Sequence, residues 1–300
     1  MNIVNILEEI EKVDGEIYER LSPRRKAMKD FFSMGGKIAA AAMPFALGSM
    51  FNKAYGQAAM PSTIIDVLQY ALTLEHFEYN FYLRANAATS LPIPAGDQRN
   101  AIIMIRDSEK KHVDFLKIVL GQLNQTPVAE KTTYDFTASN TFPDIFTNYG
   151  TFLAVAQAIE DTGVRAYKGR AAELKGEKVV LTAALGIHAV EARHAAKIRY
   201  MRRLNGATNA AAPAGATTPN NLTKPWIAGS ATVFNDLGVS AADGNYGGAT
   251  KENNIVHAGV TITSLAGVGG NIPYSAAAEA FDEPLTKNEV LALVAPFGVS

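Results

Sequence analysis

The sequence predicts an all-α protein: a four-helix bundle with one long crossover, followed by a mostly irregular C-terminal extension that ends in a short helix. Three observations predict it. Between residues 61 and 206, apolar residues recur at helical spacing through four long segments. These are joined by short, long and short connections, the long one being the 18-residue stretch Gln125 to Phe142, "QTPVAEKTTYDFTASNTF", which is the connectivity of a bundle with one long crossover. After Gly206 the composition turns to Ala, Thr, Pro and Gly, with little capacity to pack as further long helices. The chain therefore divides into residues 1–60, 61–206 and 207–300.

The first segment opens with a short amphipathic helix, in which Ile3, Ile6, Leu7 and Ile10 share a face among acids. Arg24 and Arg25 follow, then a small-residue apolar run from Ile38 to Phe51 and the small-x-small triplet Ala54-Tyr55-Gly56. This resembles a twin-arginine export signal, with departures at the acidic helix ahead of the arginines and at Lys26-Ala27. An apolar run of about 14 residues is too short to remain as a membrane span. A periplasmic or secreted location follows from that resemblance; a basic helix junction in a cytoplasmic protein is the alternative.

In the bundle, Ser62 is placed to cap a first helix running to about Ala88, and Asp97 a second running to about Asn124. A third helix is expected over residues 143–174 and a fourth over 177–204, closed by the basic run Lys197 to Arg203 and Gly206. In the extension, "ATVFN" and "HAGVTITSL" lean toward strand. Thr286 with Glu289 forms a capping box for a last helix that Pro296 stops. The extension is expected to lie over the bundle.

Composition removes several functions. With 48% hydrophobic and 19% charged residues the chain has ample material for a buried core, and a net charge of −1 gives no electrostatic reason to bind nucleic acid. There is no cysteine, so thiolate metal sites and cysteine nucleophiles are excluded, and any metal must be held by carboxylates and imidazoles.

Such a set is present. The second helix carries Glu109 with His112 and the fourth Glu191 with His194, each a Glu-x-x-His; three residues turn a helix by about 300° over about 4.5 Å, so both groups can reach one ion. The first and third helices each supply a glutamate followed seven residues later by tyrosine, Glu75 with Tyr82 and Glu160 with Tyr167, and seven residues return the chain to within about 20° of the same face. Leu68, Ile102, Leu153 and Ala184 stand seven residues before the four glutamates, so the acids point inward. Four ionised carboxylates in a core must take up protons or bind cations.

The order Glu, Glu-x-x-His, Glu, Glu-x-x-His, with spacings of 34 residues from Glu75 to Glu109 and 31 from Glu160 to Glu191, resembles the ferritin-like di-metal carboxylate superfamily. The tail "EAFDEPLTKNEVLALVAPF" is similar to the end of the desiccation-related ferritin-like proteins of plants and bacteria. The resemblance implies two iron ions, or two manganese ions, held by Glu75, Glu109, His112, Glu160, Glu191 and His194 and reacting with dioxygen or peroxide. Iron(II) oxidation or peroxide detoxification is the activity implied, with a metal-stabilised structural or stress-protective protein as the alternative. A homo-oligomer is compatible with the resemblance; a storage cage would have to accommodate the long tail.

Tyr82 and Tyr167 are candidate catalytic residues, chiefly as hydrogen-bond donors to metal-bound glutamates and less as redox groups. Glu78 is an extra acid, either beside the metals or solvated at the bundle edge. His76 is expected to pack between helices, His188 to lie near the ligands, and His257 to be incidental. Asp107, Asp114 and Asp161 can reach an imidazole across the bundle. If no metal binds, Arg84, Arg106, Arg165 or Arg193 must pair with the acids.

Overall fold

The structure is a computed structural model in which residues 60–205, 240–267 and 270–299 are described. The expectations for the amphipathic helix, the twin-arginine-like segment, the linker after Gly206 and the strand-leaning "ATVFN" lie outside these residues.

Four long helices carry the fold: α1 (Ser62–Ala87), α2 (Asp97–Gln122), α3 (Tyr149–Arg170) and α4 (Lys178–Leu204). Helix α1 packs chiefly on α2 and α3 on α4, and the two hairpins meet through α1–α3 and α2–α4 contacts. The long crossover, residues 123–148, joins them. No described helix is long and apolar enough to cross a membrane.

The predicted helix boundaries need three corrections. Ser62 is the first residue of α1 and makes no cap; Pro61 precedes the helix and supplies the first carbonyl, to Ile64 and Ile65. Asp97 opens α2 inside its first turn, where its charge suits the helix dipole, and Gly96 at φ 83° stands in the cap position. Helix α3 begins at Tyr149 rather than 143. Asn148 caps it by accepting from the Gly150 and Thr151 amides, and Asp144 ties Asn148 and Thr151 into a turn. Such side chains offer the backbone an alternative to helix, so residues 143–148 stay a turn. At its other end α3 gives way to a 3₁₀ turn over Ala171–Leu174.

Nearly all of α3 is buried, from Tyr149 through Ala166, because the crossover and the extension cover the face that the bundle leaves open. The crossover contributes Tyr134 and Phe136 to an aromatic cluster with Phe77, Phe81 and Phe146, and Phe81 stacks on Phe152 at 5.3 Å between ring centres. The extension holds two short hairpins, β1 (Val256–His257) with β2 (Val260–Thr261) and β3 (Ala266–Gly267) with β4 (Gly270–Asn271), then helices α5 (Tyr274–Glu279) and α6 (Lys287–Val294). Thr286 and Glu289 form the capping box expected for α6, and Pro296 lies in the turn that closes it.

The extension is fastened to α3 by buried polar groups. Arg165, fully buried, pairs with Glu252 and donates to the carbonyls of Glu283, Asn245 and Thr250. Gly169 lets the extension approach closely: a Cβ there would stand 1.8 Å from the Leu285 carbonyl oxygen.

Candidate metal centre

All six predicted ligand side chains converge between the four helices, and the four glutamates are fully buried. They form two overlapping groups, Glu75, Glu109, His112 and Glu191, and Glu109, Glu160, Glu191 and His194, with the donor atoms of each group within 4.8 Å of one another. Glu109 and Glu191 belong to both. Glu75 and His112 stand at one end, Glu160 and His194 at the other.

Both imidazoles turn Nδ1 inward. His112 Nδ1 lies 2.9 Å from Glu109, 3.1 Å from Glu75 and 3.2 Å from Glu191. His194 Nδ1 lies 2.7 Å from Glu109 and 3.4 Å from Glu160. The helix turn between Glu and His in each Glu-x-x-His pair makes this convergence, since i and i+3 side chains are neighbours on one face.

The tyrosines cross the site reciprocally. Tyr82 of α1 donates to Glu160 of α3, and Tyr167 of α3 donates to Glu75 of α1 at 2.5 Å. Each therefore fixes the glutamate of the opposite helix, a relation that spacing alone does not reveal. Burial first, and then the adjacent carboxylates, push both phenols well above their ordinary range, so they stay protonated donors.

A fifth acid joins the cluster. Glu78 is buried rather than solvated at the bundle edge, and its carboxyl is driven well above the ordinary range by burial and by Glu191, Glu75, Glu109 and Glu160. It follows Glu75 by three residues as Gly163 follows Glu160. The duplicated position thus lacks a side chain, and Glu78 Oε1 occupies the space, 2.9 Å from where a Cβ on residue 163 would stand. An acid at i+3 from a predicted ligand was the available signal for Glu78.

The remaining candidates lie apart from the cluster. His76 is buried between elements, 3.7 Å from Glu130. His188 meets the Val164 carbonyl, and His257 stacks on Phe281. Asp107 pairs with Arg106 and Asp114 with Lys110 at the surface, while Asp161 is held by Arg199 and Tyr246; none of the three reaches an imidazole. The arginines are committed elsewhere: Arg84 lies over the Phe146 ring, Arg165 binds the extension, and Arg193 is exposed on α4. Among the described residues the recorded ion-pair partners of the cluster acids are only the two imidazoles.

Charge balance in this arrangement falls to protons or metal. Burial, and then neighbouring Glu109, hold Glu191 well above the usual carboxylate range, and burial also raises Glu75 and Glu160. Burial opposes the charged imidazoles, yet Glu75 raises His112 well above its ordinary value and Glu160 raises His194 to about 11. Burial likewise opposes the Glu109 charge, but the two histidines win and lower it to about 2. Hydrogen bonding leaves the cluster incompletely satisfied: Glu109 Oε1, Glu160 Oε2 and both Glu191 oxygens face an imidazole Nδ1 at 2.7, 3.4, 3.2 and 4.0 Å, yet none of them makes an aligned hydrogen bond, and neither does His194 Nδ1. Buried polar atoms of this kind call for a ligand, and an oxygen-rich donor set with two imidazoles suits iron or manganese.

Residues 63–204 match the family described as the ferritin-like domain. This part of the chain is similar to that family, and its fold is a ferritin-like four-helix bundle. No curated protein and no solved structure matches the chain significantly. The matched segment takes in the four long helices except Ser62, together with every residue of the cluster, and the extension lies beyond it.

Proposed function

We propose that the ferritin-like domain binds two iron ions, or two manganese ions, and uses them on dioxygen or peroxide, in iron(II) oxidation or peroxide detoxification. The observation that carries this reading is the pair of donor groups sharing Glu109 and Glu191. Glu109 and Glu191 would serve both ions, and Glu75 with His112 and Glu160 with His194 would complete the two sets. Two divalent ions would also neutralise the four ligand carboxylates that the bundle otherwise leaves to protons.

When bound, such ions supply electrons or Lewis acidity to an oxygen species. The chain supplies the rest. Glu75 and Glu160 are oriented by Tyr167 and Tyr82, which donate to one oxygen of each and leave the other for metal. Burial among α1–α4 excludes bulk water from the reacting end. With zero cysteine in the sequence, a rubredoxin-type electron-entry centre is disfavoured.

We further propose export, on the sequence of residues 24–56; twin-arginine export carries folded proteins, which would allow the site to load first. Elemental analysis of protein from its native compartment, followed by iron(II)-oxidation and peroxide-consumption assays, tests the activity. Turnover supports the reading; bound metal without reactivity supports a structural role instead. N-terminal sequencing for loss of residues up to about Gly56 tests the signal.

A further inference from the structure

Beside the cluster lies a cavity of about 110 Å³ that neither the ligand set nor the proposed chemistry uses. Its walls come from α1 and α3, from the crossover, and from two pieces of the extension, around Ala242 and around Leu293. The lining is mostly apolar, with Phe77, Phe142, Ile159 and Phe297 as its large members. Glu78 is the one ionisable side chain among the lining residues, and Gly163, lying between Glu78 and Glu191, is also part of the wall.

Three features make this more than a packing defect. An apolar cavity of roughly 150 Å³ is large enough to take up benzene or xenon, so this one is sized for roughly four or five non-hydrogen atoms. Glu78 is only 4% exposed and stands in the cavity wall against Gly163, so a polar group entering the cavity has one buried acid to meet, and pairing with it offsets the cost of burying both. The crossover wall is also built with care: Ala138, Ser139 and Asn140 all adopt left-handed backbone, at φ 50°, 55° and 66°, pinned by the Asp135 carboxylate accepting from the Thr137 and Ser139 amides. Such conformations cost energy in non-glycine residues, and here they place Ala138 in the wall.

We propose that this cavity binds a small neutral organic molecule with an apolar body and one hydrogen-bond-donating group, its polar end at Glu78 and its body under the extension. The inference deepens the di-metal reading by giving that centre an organic ligand class, and it rests on that reading only for the consequence of binding. Binding itself needs no metal, so its failure would leave the metal assignment standing.

The test uses the full-length protein with xenon as an apolar probe and 1-butanol as an apolar probe with a donor, followed by NMR. Wild type binds both. Ala242→Phe, and Thr141→Trp at the exposed rim as a variant that disturbs the core less, each weaken both probes by about tenfold or more, equivalent to about 1.4 kcal/mol. Glu78→Leu leaves xenon binding within about twofold but weakens 1-butanol by about fivefold, the loss of one hydrogen bond. No xenon binding to wild type, or binding as tight as wild type in both plugged variants, overturns the site. If Glu78→Leu affects the two probes alike, Glu78 is not the anchor and the ligand class is wrong.

Discussion

Replacing Arg165 with methionine tests whether the extension is part of the folded domain or an accessory to it. Arg165 has no exposed surface and satisfies the Glu252 carboxylate and the carbonyls of Glu283, Asn245 and Thr250. Methionine keeps much of the apolar stem but abandons all four acceptors. Burial already pushes Glu252 up to about 8 against the pull of Arg165. Without the guanidinium, Glu252 takes a proton near neutral pH, which offsets part of the loss, while the carbonyls stay dry and unpaired. Breaking a buried pair from one side costs about 3–5 kcal/mol, which for a domain of this size lowers Tm by roughly 6–20 °C. Urea denaturation read at more than one wavelength gives the free energy, and limited proteolysis reads release of residues 240–299. Arg193→Met, at an exposed position of α4, serves as the control and should change stability by less than about 0.5 kcal/mol. A loss below about 1 kcal/mol for Arg165→Met, or proteolysis no faster than wild type, would refute the view that Arg165 clamps the extension to α3.

Gly169→Ala probes the same seam by steric means: its Cβ would fall 1.8 Å from the Leu285 carbonyl oxygen, so denaturation should show a loss of about 1–3 kcal/mol, or more if α6 detaches. Tyr82→Phe and Tyr167→Phe each remove the donor to a ligand glutamate, and competitive metal titration should find affinity lowered about 10–100-fold with the helical circular dichroism unchanged. In the metal-depleted protein, Glu75, Glu160 and Glu191 have raised pKa values and so do His112 and, to about 11, His194. Both kinds of group favour the folded state most at low pH. For the glutamates the gain is full below the ordinary carboxylate range, for the histidines below the ordinary imidazole range, and each is lost as pH rises through the folded value. Tm of the metal-depleted protein should therefore fall from pH 5 to pH 9, opposed by His76, which burial lowers, up to the ordinary imidazole range, and by Glu109, lowered to about 2, below the ordinary carboxylate range. Divalent iron or manganese should flatten or reverse that slope, because the ligands shed protons to bind metal; an unchanged slope with metal added would count against ligation.

The bundle was legible because its signals are local and periodic. Glu75, Glu109, Glu160 and Glu191 each follow an apolar or small residue by seven positions, and Glu-x-x-His occurs twice, so helix geometry alone turns the acids inward. Helix starts were less legible at Ser62, Asp97 and residues 143–148, where several residues compete to cap and the winner depends on where the chain enters from its neighbours. The reciprocal tyrosine bonds depend on how α1 and α3 cross, which no spacing within either helix encodes. Glu78 was open between solvent and site because its burial is decided by the absence of a side chain at Gly163, 85 residues away in the sequence. Arg165 is one of four arginines that would pair with the cluster acids if no metal bound, yet it serves Glu252 from a part of the chain with little periodicity to announce where it packs.

Anaerobic titration of metal-depleted full-length protein with iron(II), read by the number of ions bound, tests the central claim most directly. The account predicts about two ions per chain in wild type, loss of both in Glu109→Ala and in Glu191→Ala, and loss of about one in Glu75→Ala or Glu160→Ala, because only the first pair belongs to both donor groups. Wild type binding no iron, or the shared and terminal glutamates proving equivalent in the number of ions lost, would contradict it.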